Sequence, residues 1–301
     1  TRFTLAGQTY PEPSAYDALI LDPVVRYVGD EVALVVAKDE ATALKAMPLI
    51  KVEYEVHKPV LDMRTAIDHE TIVHPEEDIL NHIPVGQDYK RNICVSYHKR
   101  VGDIEAELAK CDYVVEGTYF DQATRQSAME PFQSFGYIDH LGRIVIVSST
   151  QIVFHVRRHI ARALGIPASK IRVIKPRIGG GFGSKQTACT ELMTAFVTWK
   201  LQKPCYLLYD RTEAQTCSTT RHAREWYIRL GATKDGIIQV IDMDSITAAG
   251  AHATHCFTTT TAGEHKSVPL YNKGKAVHYG TEGVYTNHTP GGAFRGYGAT
   301  E

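Results

Sequence analysis

Alternating hydrophobic and polar positions mark one regular unit near the start of the chain. An almost continuous apolar run covers residues 32–37, and a polar–apolar alternation covers 50–55. These are the patterns of a buried and a half-buried β-strand. Between them, Asp39 can cap a helix over 41–47, so the pattern predicts a β-α-β unit. Residues 57–92 hold three prolines, many acids and few apolar runs, which predicts a linker or a long surface excursion.

Beyond this stretch, helical and strand-like periods follow one another in no fixed order. The predicted elements are helices over 103–110, 152–164 and 188–200, strands over 113–119 and 171–174, and hairpins over 135–148 and 225–245. Asp235-Gly236 is a strong turn signal in the last hairpin. The run from Thr258 to Thr261 is predicted to be exposed or mobile. Helices mixed with hairpins favour the α+β class over a regular doubly wound sheet.

The most distinctive stretch is a glycine loop at 179–183, where four of five residues are glycine. It lies between the predicted strand at 171–174 and the predicted helix at 188–200. Such a loop can offer backbone N–H groups and a helix N-terminus to an anion, with phosphate as the usual occupant. The order Gly183-Ser184-Lys185 does not match a Walker loop, and Ser184 breaks a Rossmann fingerprint. A tight structural turn is the alternative.

Composition narrows the functional classes. The chain has 301 residues, 44% hydrophobic and 22% charged residues, and a net charge of −1, which gives no reason to expect nucleic acid or a membrane surface as a partner. None of the six cysteines forms a C-x-x-C pair, so we expect reduced thiols and a cytoplasmic protein. Because the chain begins at Thr1 and stops at Glu301 directly after a glycine-rich motif, we expect a piece of a longer polypeptide.

A second glycine loop near residues 290–298 surrounds one arginine with two aromatic residues. Together, five separated motifs resemble the xanthine dehydrogenase and aldehyde oxidase family of molybdenum hydroxylases, in that family's order. These motifs are Ser149-Thr150-Gln151 before a helix, Gly179 to Lys185, Asp210-Arg211, Arg221-His222, and Ala293-Phe294-Arg295-Gly296-Tyr297-Gly298. The resemblance covers essentially the whole chain. It implies the later part of an α/β hammerhead domain at 1–70 and the first half of a molybdenum-binding region, with mixed sheets and helices, at 71–301.

The resemblance also implies a cofactor and its contacts. A molybdopterin dinucleotide would carry the molybdenum, and no protein side chain need ligate the metal, which would lie near Gln151, Phe182 and Arg295. The implied cofactor-binding residues are Gln151, Gly180, Gly181, Phe182, Gly183, Ala293, Phe294, Arg295 and Gly296. Iron–sulfur clusters and FAD are expected on other domains or subunits, and a homodimer stays open.

By the same resemblance, the enzyme hydroxylates a purine, another N-heteroaromatic compound or an aldehyde carbon, with water as the oxygen source. The family's general-base glutamate would lie beyond Glu301, so we expect no catalytic residue in this stretch and no turnover by it alone. Gln186 stands where purine-oxidising members carry a substrate-contacting glutamate, and no arginine occurs from Gly231 to Phe294. The sequence therefore does not single out xanthine, and another heteroaromatic or an aldehyde fits equally.

A second functional class stays open, namely a nucleotide- or phosphate-binding module that uses the two glycine loops without chemistry. Several smaller motifs also carry predictions. We predict a surface or interface pair for His155 and His159, a role in lining or supporting the substrate pocket for His252 to Cys256, a buried ion pair for Asp210-Arg211, and a structural turn for Glu130-Pro131.

Overall fold

The regular elements form two mixed β-sheets flanked by helices. The structure is a computed structural model, which describes residues 1–6 and 9–300. In chain order its helices and strands are α1 (Glu40–Ala46), β1 (Ile93–Val101), α2 (Ile104–Leu108), β2 (Tyr113–Asp121), β3 (Gln133–Ile138), β4 (Ile144–Ser148), α3 (Val153–Leu164), β5 (Ile171–Ile174), α4 (Thr190–Leu201), β6 (Cys205–Leu208), α5 (Arg211–Thr216), β7 (Ala223–Ala232), β8 (Ile238–Gly250), α6 (Cys256–Ser267) and β9 (Ala276–Tyr285). None of the described helices is long and apolar enough to cross a bilayer.

The larger sheet has five strands in the order β1-β9-β8-β7-β2. Strands β8 and β9 run parallel, and the other neighbours are antiparallel. The predicted hairpin at 225–245 is confirmed as β7 and β8, and the predicted strand at 113–119 as β2. Strands β1 and β9 were not predicted, because polar residues and glycines interrupt the apolar period of β9.

The smaller sheet has four strands in the order β5-β4-β3-β6. Strands β3 and β4 form the predicted hairpin, and β4 pairs with β5 in parallel after the chain has passed through α3. Ile146 of β4 and Val156 and Ile160 of α3 are fully buried in the core between this sheet and its helices. Mixed parallel and antiparallel pairing with helices confirms the α+β class.

The predicted strands at 32–37 and 50–55 are wrong, although α1 forms between them. Asp39 accepts a hydrogen bond from the Thr42 N–H group, as an N-cap does. Neither flanking segment pairs with another strand of the described chain, and Val32 and Tyr54 are exposed. The two segments have the apolar periodicity of a β-strand. A β-strand also needs an adjacent strand that supplies its backbone hydrogen bonds.

The prediction of a linker or surface excursion at 57–92 is also wrong. Val60, Met63 and Val73 from this segment are buried against β1 and β9 in the core of the larger sheet. The segment is irregular, so side chains satisfy its backbone instead of a strand ladder. Buried Asn92 accepts a hydrogen bond from Val73 N at 2.8 Å and donates to the carbonyls of Ala66 and Thr71.

The threonine run at 258–261 belongs to α6, and the prediction that it is exposed is wrong. Thr259 and Thr260 are fully buried. Their hydroxyls donate to carbonyls three or four residues earlier, such as the Cys256 carbonyl. Because carbonyls of the helix backbone accept from these hydroxyls, burial does not leave the hydroxyls unsatisfied. Composition alone does not show this.

Asn92 supplies the first testable prediction. Asn92→Ala removes three buried hydrogen bonds and places alanine at a left-handed φ of 59°, so we expect a loss of about 3 kcal/mol in the free energy of unfolding. Denaturant unfolding measures it. The control is Asn81→Ala, which removes one half-buried bond from the Tyr89 hydroxyl. Equal midpoints for the two variants would contradict this role of Asn92.

Candidate functional site

The first glycine loop, residues 179–183, follows β5 and lies against Gln151. The Gln151 side-chain oxygen accepts a hydrogen bond from Gly183 N at 3.1 Å, and Gln151 N donates to the Lys185 carbonyl at 2.9 Å. A Cβ on Gly181 would lie 2.5 Å from the Gln151 side-chain oxygen. Glycine is therefore required at position 181 for the Gln151 amide to reach the loop.

The two glycine loops touch at Gly183 and Ala293. Gly183 has a φ of +105°, and a Cβ there would lie 2.3 Å from the Ala293 carbonyl oxygen and 2.9 Å from Phe294 N. Ala293 is fully buried. The same Ala293 carbonyl accepts a hydrogen bond from the Gln126 side chain at 2.7 Å. The structure thus brings Gln151, Gly181, Gly183 and Ala293 together, as the sequence predicts for one site.

The second glycine loop is held from the larger sheet. Gly291 N donates to the Ala249 carbonyl of β8 at 2.8 Å, and Gly292 N donates to the Thr220 carbonyl at 2.7 Å. A Cβ on Gly292 would lie 2.5 Å from the Thr219 hydroxyl, and the hydroxyl of buried Thr254 donates to the Gly291 carbonyl. These contacts fix the loop before it reaches Ala293.

Glu130 and Lys185 form the charged clamp of the first loop. One Glu130 carboxylate oxygen accepts from Gly179 N at 2.6 Å and from the Lys185 ammonium at 2.7 Å. Lys185 is buried, with 2% of its side chain exposed. Burial alone would raise the pKa of Glu130, but the hydrogen bonds from Lys185 and Gly179 outweigh it and hold the pKa below its usual value. The predicted structural turn at Glu130-Pro131 therefore also anchors the glycine loop.

His255 connects the two loops a second time. Its Nε2 lies 3.2 Å from the Gln186 carbonyl and its Nδ1 lies 2.9 Å from the Tyr297 hydroxyl. Burial lowers the pKa of His255 to about 3, so the ring is neutral near pH 7. A neutral ring can donate from one nitrogen and accept at the other. His255 therefore supports the site as a hydrogen-bonding residue.

The remaining predicted residues lie on the exposed side of the loops. Phe182, 47% exposed, has a left-handed φ of 52° and faces back toward Gly180. Phe294 is half-buried beneath the Arg221 guanidinium. Arg295 is exposed, and its guanidinium has no partner among the described residues. Exposed Gly296 and half-buried Gln186 complete the set of predicted residues.

The sequence predicts that the helix after the first loop offers its N-terminus to an anion. The structure does not support this prediction. Helix α4 begins at Thr190, well after the loop. The buried Glu191 carboxylate accepts hydrogen bonds from Cys189 N at 2.9 Å and from the Ser148 hydroxyl at 2.6 Å. A carboxylate of the chain itself thus lies at this helix end.

Two smaller predictions are also wrong. Asp210 and Arg211 are exposed and do not pair with each other. Asp210 caps α5, and Arg211 donates to the carbonyls of Ala128 and Met129. The prediction of a surface or interface pair for His155 and His159 is wrong for His159, because that residue is buried within the chain with Nε2 2.9 Å from the Ala6 carbonyl.

Sequence reasoning missed the roles of Gln126, Lys185 and His255. Gln126 lies in an irregular stretch that has no periodic pattern. The nearest available signal was the charge of Lys185 directly after a glycine loop, which calls for a carboxylate if the lysine is buried. His255 was noted within a cluster, but only the fold shows that it connects two distant loops.

The Glu130–Lys185 clamp generates a double-mutant prediction. Glu130→Gln leaves the Lys185 ammonium buried without a countercharge, and we expect it to lower the free energy of unfolding by about 3 kcal/mol. Adding Lys185→Met should restore most of this loss. The difference between wild type and Glu130→Gln should shrink as the pH falls through the pKa of Glu130, because a carboxyl with a depressed pKa loses its contribution on protonation.

Denaturant unfolding of the four proteins in the cycle measures this coupling. The matched control is the exposed pair Glu107–Lys110, with a separation of 2.7 Å, for which the same cycle should give less than about 1 kcal/mol. Additive effects of Glu130→Gln and Lys185→Met would contradict the clamp.

Two family models match the chain. The molybdopterin cofactor-binding domain matches residues 85–301, and the aldehyde oxidase and xanthine dehydrogenase a/b hammerhead domain matches residues 4–58. The order of the two domains along the chain agrees with the order that the sequence predicts. The boundary between them at residue 70 stays a prediction.

Two relatives show how much of a longer protein this chain matches. The probable hypoxanthine oxidase XdhD of Escherichia coli (strain K12) is 36% identical over 321 residues, covering 99% of this chain and 33% of that protein. The large molybdopterin subunit of nicotinate dehydrogenase from Eubacterium barkeri is 31% identical over 284 residues, covering 94% of this chain and 63% of that protein. The chain thus spans about a third of the first relative and less than two thirds of the second.

Solved structures share the fold. An aldehyde oxidoreductase from Desulfovibrio desulfuricans ATCC 27774 superposes with a TM-score of 0.84 and 23% identity, covering 99% of this chain and 32% of that chain. Quinoline 2-oxidoreductase from Pseudomonas putida 86 gives a TM-score of 0.79 at 27% identity, covering 93% and 35%. Because the cofactor-binding model matches more than half of the chain, the chain belongs to the molybdopterin cofactor-binding domain family of the xanthine dehydrogenase and aldehyde oxidase type.

Proposed function

We propose that this chain forms part of the cofactor site of a molybdenum hydroxylase, in which the two glycine loops hold the molybdopterin together. The observation that carries the proposal is the contact of Gly183 with the Ala293 carbonyl. It places two loops from different sheets side by side, next to the Gln151 amide. Relatives named as a molybdenum-binding subunit and as a molybdopterin subunit support molybdopterin as the cofactor.

The residues present suit a molybdopterin. The backbone N–H groups of Gly180, Gly181 and Phe182 have no hydrogen-bond partner within the described residues, so they can donate to the polar edge of a pterin or to its phosphates. Gln151 uses its side-chain oxygen on Gly183, which leaves its two amide N–H donors for the cofactor. Exposed Arg295 can pair with an anionic group.

When bound, the molybdenum cofactor supplies the redox and oxygen-transfer chemistry. The chain's own residues position the groups that would contact the cofactor. Gly183 N–H fixes the Gln151 amide in one orientation, so that its donors are aimed before any ligand arrives. The left-handed φ of 52° at Phe182 is a strained conformation that the loop maintains, and such strain is common where a side chain must be presented to a ligand.

We propose an electron-poor carbon of an N-heteroaromatic compound, a purine or an aldehyde as the position hydroxylated. The names of the relatives include a hypoxanthine oxidase, a nicotinate dehydrogenase and a quinoline oxidoreductase, which favours nitrogen heteroaromatics. Gln186 is the proposed substrate contact, because it lies three residues after the end of the first loop and its carbonyl lies 3.2 Å from Nε2 of His255. An amide at this position can donate to a ring nitrogen or accept from a ring N–H group.

Electrons from such a reaction need a route away from the site. We propose iron–sulfur and flavin carriers on other domains or subunits, because no C-x-x-C pair that could begin an iron–sulfur motif occurs in the sequence. The alternative of a phosphate-binding module is opposed by Glu191, whose carboxylate lies at the N-terminus of α4 where a phosphate would otherwise bind.

The proposal predicts bound molybdenum and pterin. Protein purified from its own host should contain about one molybdenum per chain and release a fluorescent pterin. A folded sample from cofactor-competent cells that contains neither would contradict the proposal. Turnover of hypoxanthine, nicotinate, quinoline and an aldehyde with a dye acceptor would then rank the substrate classes.

A variant tests the proposed role of Gln151. Gln151→Leu keeps the side-chain volume but removes the amide, so we expect the molybdenum content at limiting cofactor to fall about tenfold. Gln122→Leu, at an exposed position, is the control and should keep the wild-type content. Equal metal content in both variants would exclude a cofactor contact by Gln151.

A further inference from the structure

A cluster of metal-ligating side chains lies on the larger sheet. His98 of β1, Asp244 of β8 and His278 of β9 each place one ligand atom within 4.8 Å of the ligand atoms of the other two. These residues come from three adjacent strands. None of the three residues takes part in the contacts of the glycine loops described above.

The Asp244 carboxylate lies between the two imidazoles without a hydrogen bond to either. Its oxygens are 4.0 Å from Nδ1 of His98 and 3.6 Å from Nδ1 of His278. These separations are too long for hydrogen bonds. Two ligands of one tetrahedral zinc ion, each at about 2.1 Å, are separated by about 3.4 Å. Small rotations of exposed side chains would therefore bring the three groups onto one ion.

His98 has a carboxylate partner on the ring nitrogen that is remote from Asp244, because its Nε2 lies 2.8 Å from Glu282. Nδ1 of His278, the nitrogen 3.6 Å from Asp244, lies 2.8 Å from Asp242, so an ion bound at that nitrogen would replace this hydrogen bond. A hydrogen bond from a ligating histidine to a carboxylate orients the ring and raises its basicity toward a metal. With Nε2 of His98 held in this way, its Nδ1 is left facing Asp244.

Gly280 leaves space for the side chains of His98 and Asp244 to approach each other. It pairs with His98 on one side and with Asp244 on the other. A Cβ at Gly280 would lie 2.0 Å from an Asp244 oxygen and 2.7 Å from Nδ1 of His98. The absence of a side chain in the middle strand thus allows groups from the two outer strands to meet above it.

Access and charge also favour a cation. The side chains of His98 and Asp244 are 48% and 51% exposed, so an ion could enter from solvent. Asp242, Asp244 and Glu282 lie beside the imidazoles. Arg229 already pairs with Asp242 and Glu105, and Arg100 lies opposite His278 in the strand register. These four carboxylates outnumber the two arginines. The local charge is therefore negative when the histidines are neutral.

We propose that His98, Asp244 and His278 form a binding site for a divalent first-row transition metal, with Zn²⁺ as the representative ion. The protein would supply two nitrogens and one oxygen, and water would complete the coordination. The ion would join the edge strand β1 to β8 across β9. This site is separate from the proposed cofactor site and does not depend on it.

Zinc titration of the chelator-treated protein by calorimetry tests the site. We expect saturable binding in wild type, and at least about tenfold weaker binding in His98→Ala and in Asp244→Ala. His265→Ala is the control, because His265 is exposed and lies beside a single carboxylate, Glu264. Cobalt substitution should give the visible absorption of a low-coordinate ion in wild type but not in His98→Ala.

Gly280→Ala tests the geometry without removing a ligand. The added methyl meets only the ends of two flexible side chains, so the variant should keep its fold, which circular dichroism checks, while zinc binding weakens about tenfold or more. No saturable zinc binding in wild type would overturn the proposal. Equal zinc affinity in wild type, His98→Ala and Asp244→Ala would overturn it as well.

Discussion

The close contact between Gly183 and the Ala293 carbonyl is the constraint on which the site depends. A Cβ at Gly183 would lie 2.3 Å from that oxygen, well inside van der Waals contact. The two residues follow strands of different sheets, so this contact determines how the β5 loop and the β9 loop meet. Hydrogen bonds from Gln126 to Ala293 and from Gly183 to Gln151 then satisfy the polar groups at the junction.

Charged and neutral polar groups of the surrounding chain anchor the two glycine loops. The Glu130–Lys185 pair fixes the start of the first loop through Gly179. His255 connects the ends of both loops, and burial keeps its ring neutral. Because these groups have partners within the chain, the backbone donors of the first loop remain for a ligand. The loops would therefore be preorganised for the proposed cofactor, which would reduce the entropic cost of ordering them on binding.

Local sequence signals predicted the hairpins, α3 and both glycine loops, because each depends on a short-range period or on glycine itself. The family motifs also led to Gln151, Gly183 and Ala293 as one site. Contacts between distant residues were not accessible in the same way. Gln126 and His255 act through partners more than forty residues away, and neither has a local pattern that marks its role.

The incorrect predictions have a related physical origin. Residues 32–37 and 50–55 carry a strand pattern, yet a strand forms only where another strand pairs with it. The segment 57–92 looks like a linker because it lacks periodicity, yet Asn92 satisfies its backbone and allows it to enter the core. Sequence patterns thus report which residues prefer burial, while hydrogen-bond partners decide which segments achieve it.

The most direct test of the junction compares Gly183→Ala with Gly142→Ala. Both glycines have positive φ, +105° and +69°, but a Cβ at Gly142 would meet no heavy atom within 4 Å. Both variants carry the backbone cost of about 1 kcal/mol, so only Gly183→Ala adds the clash with Ala293. We predict that Gly183→Ala loses most of its bound molybdenum while Gly142→Ala keeps the wild-type content. Equal molybdenum content in the two variants would contradict a cofactor site built on this contact.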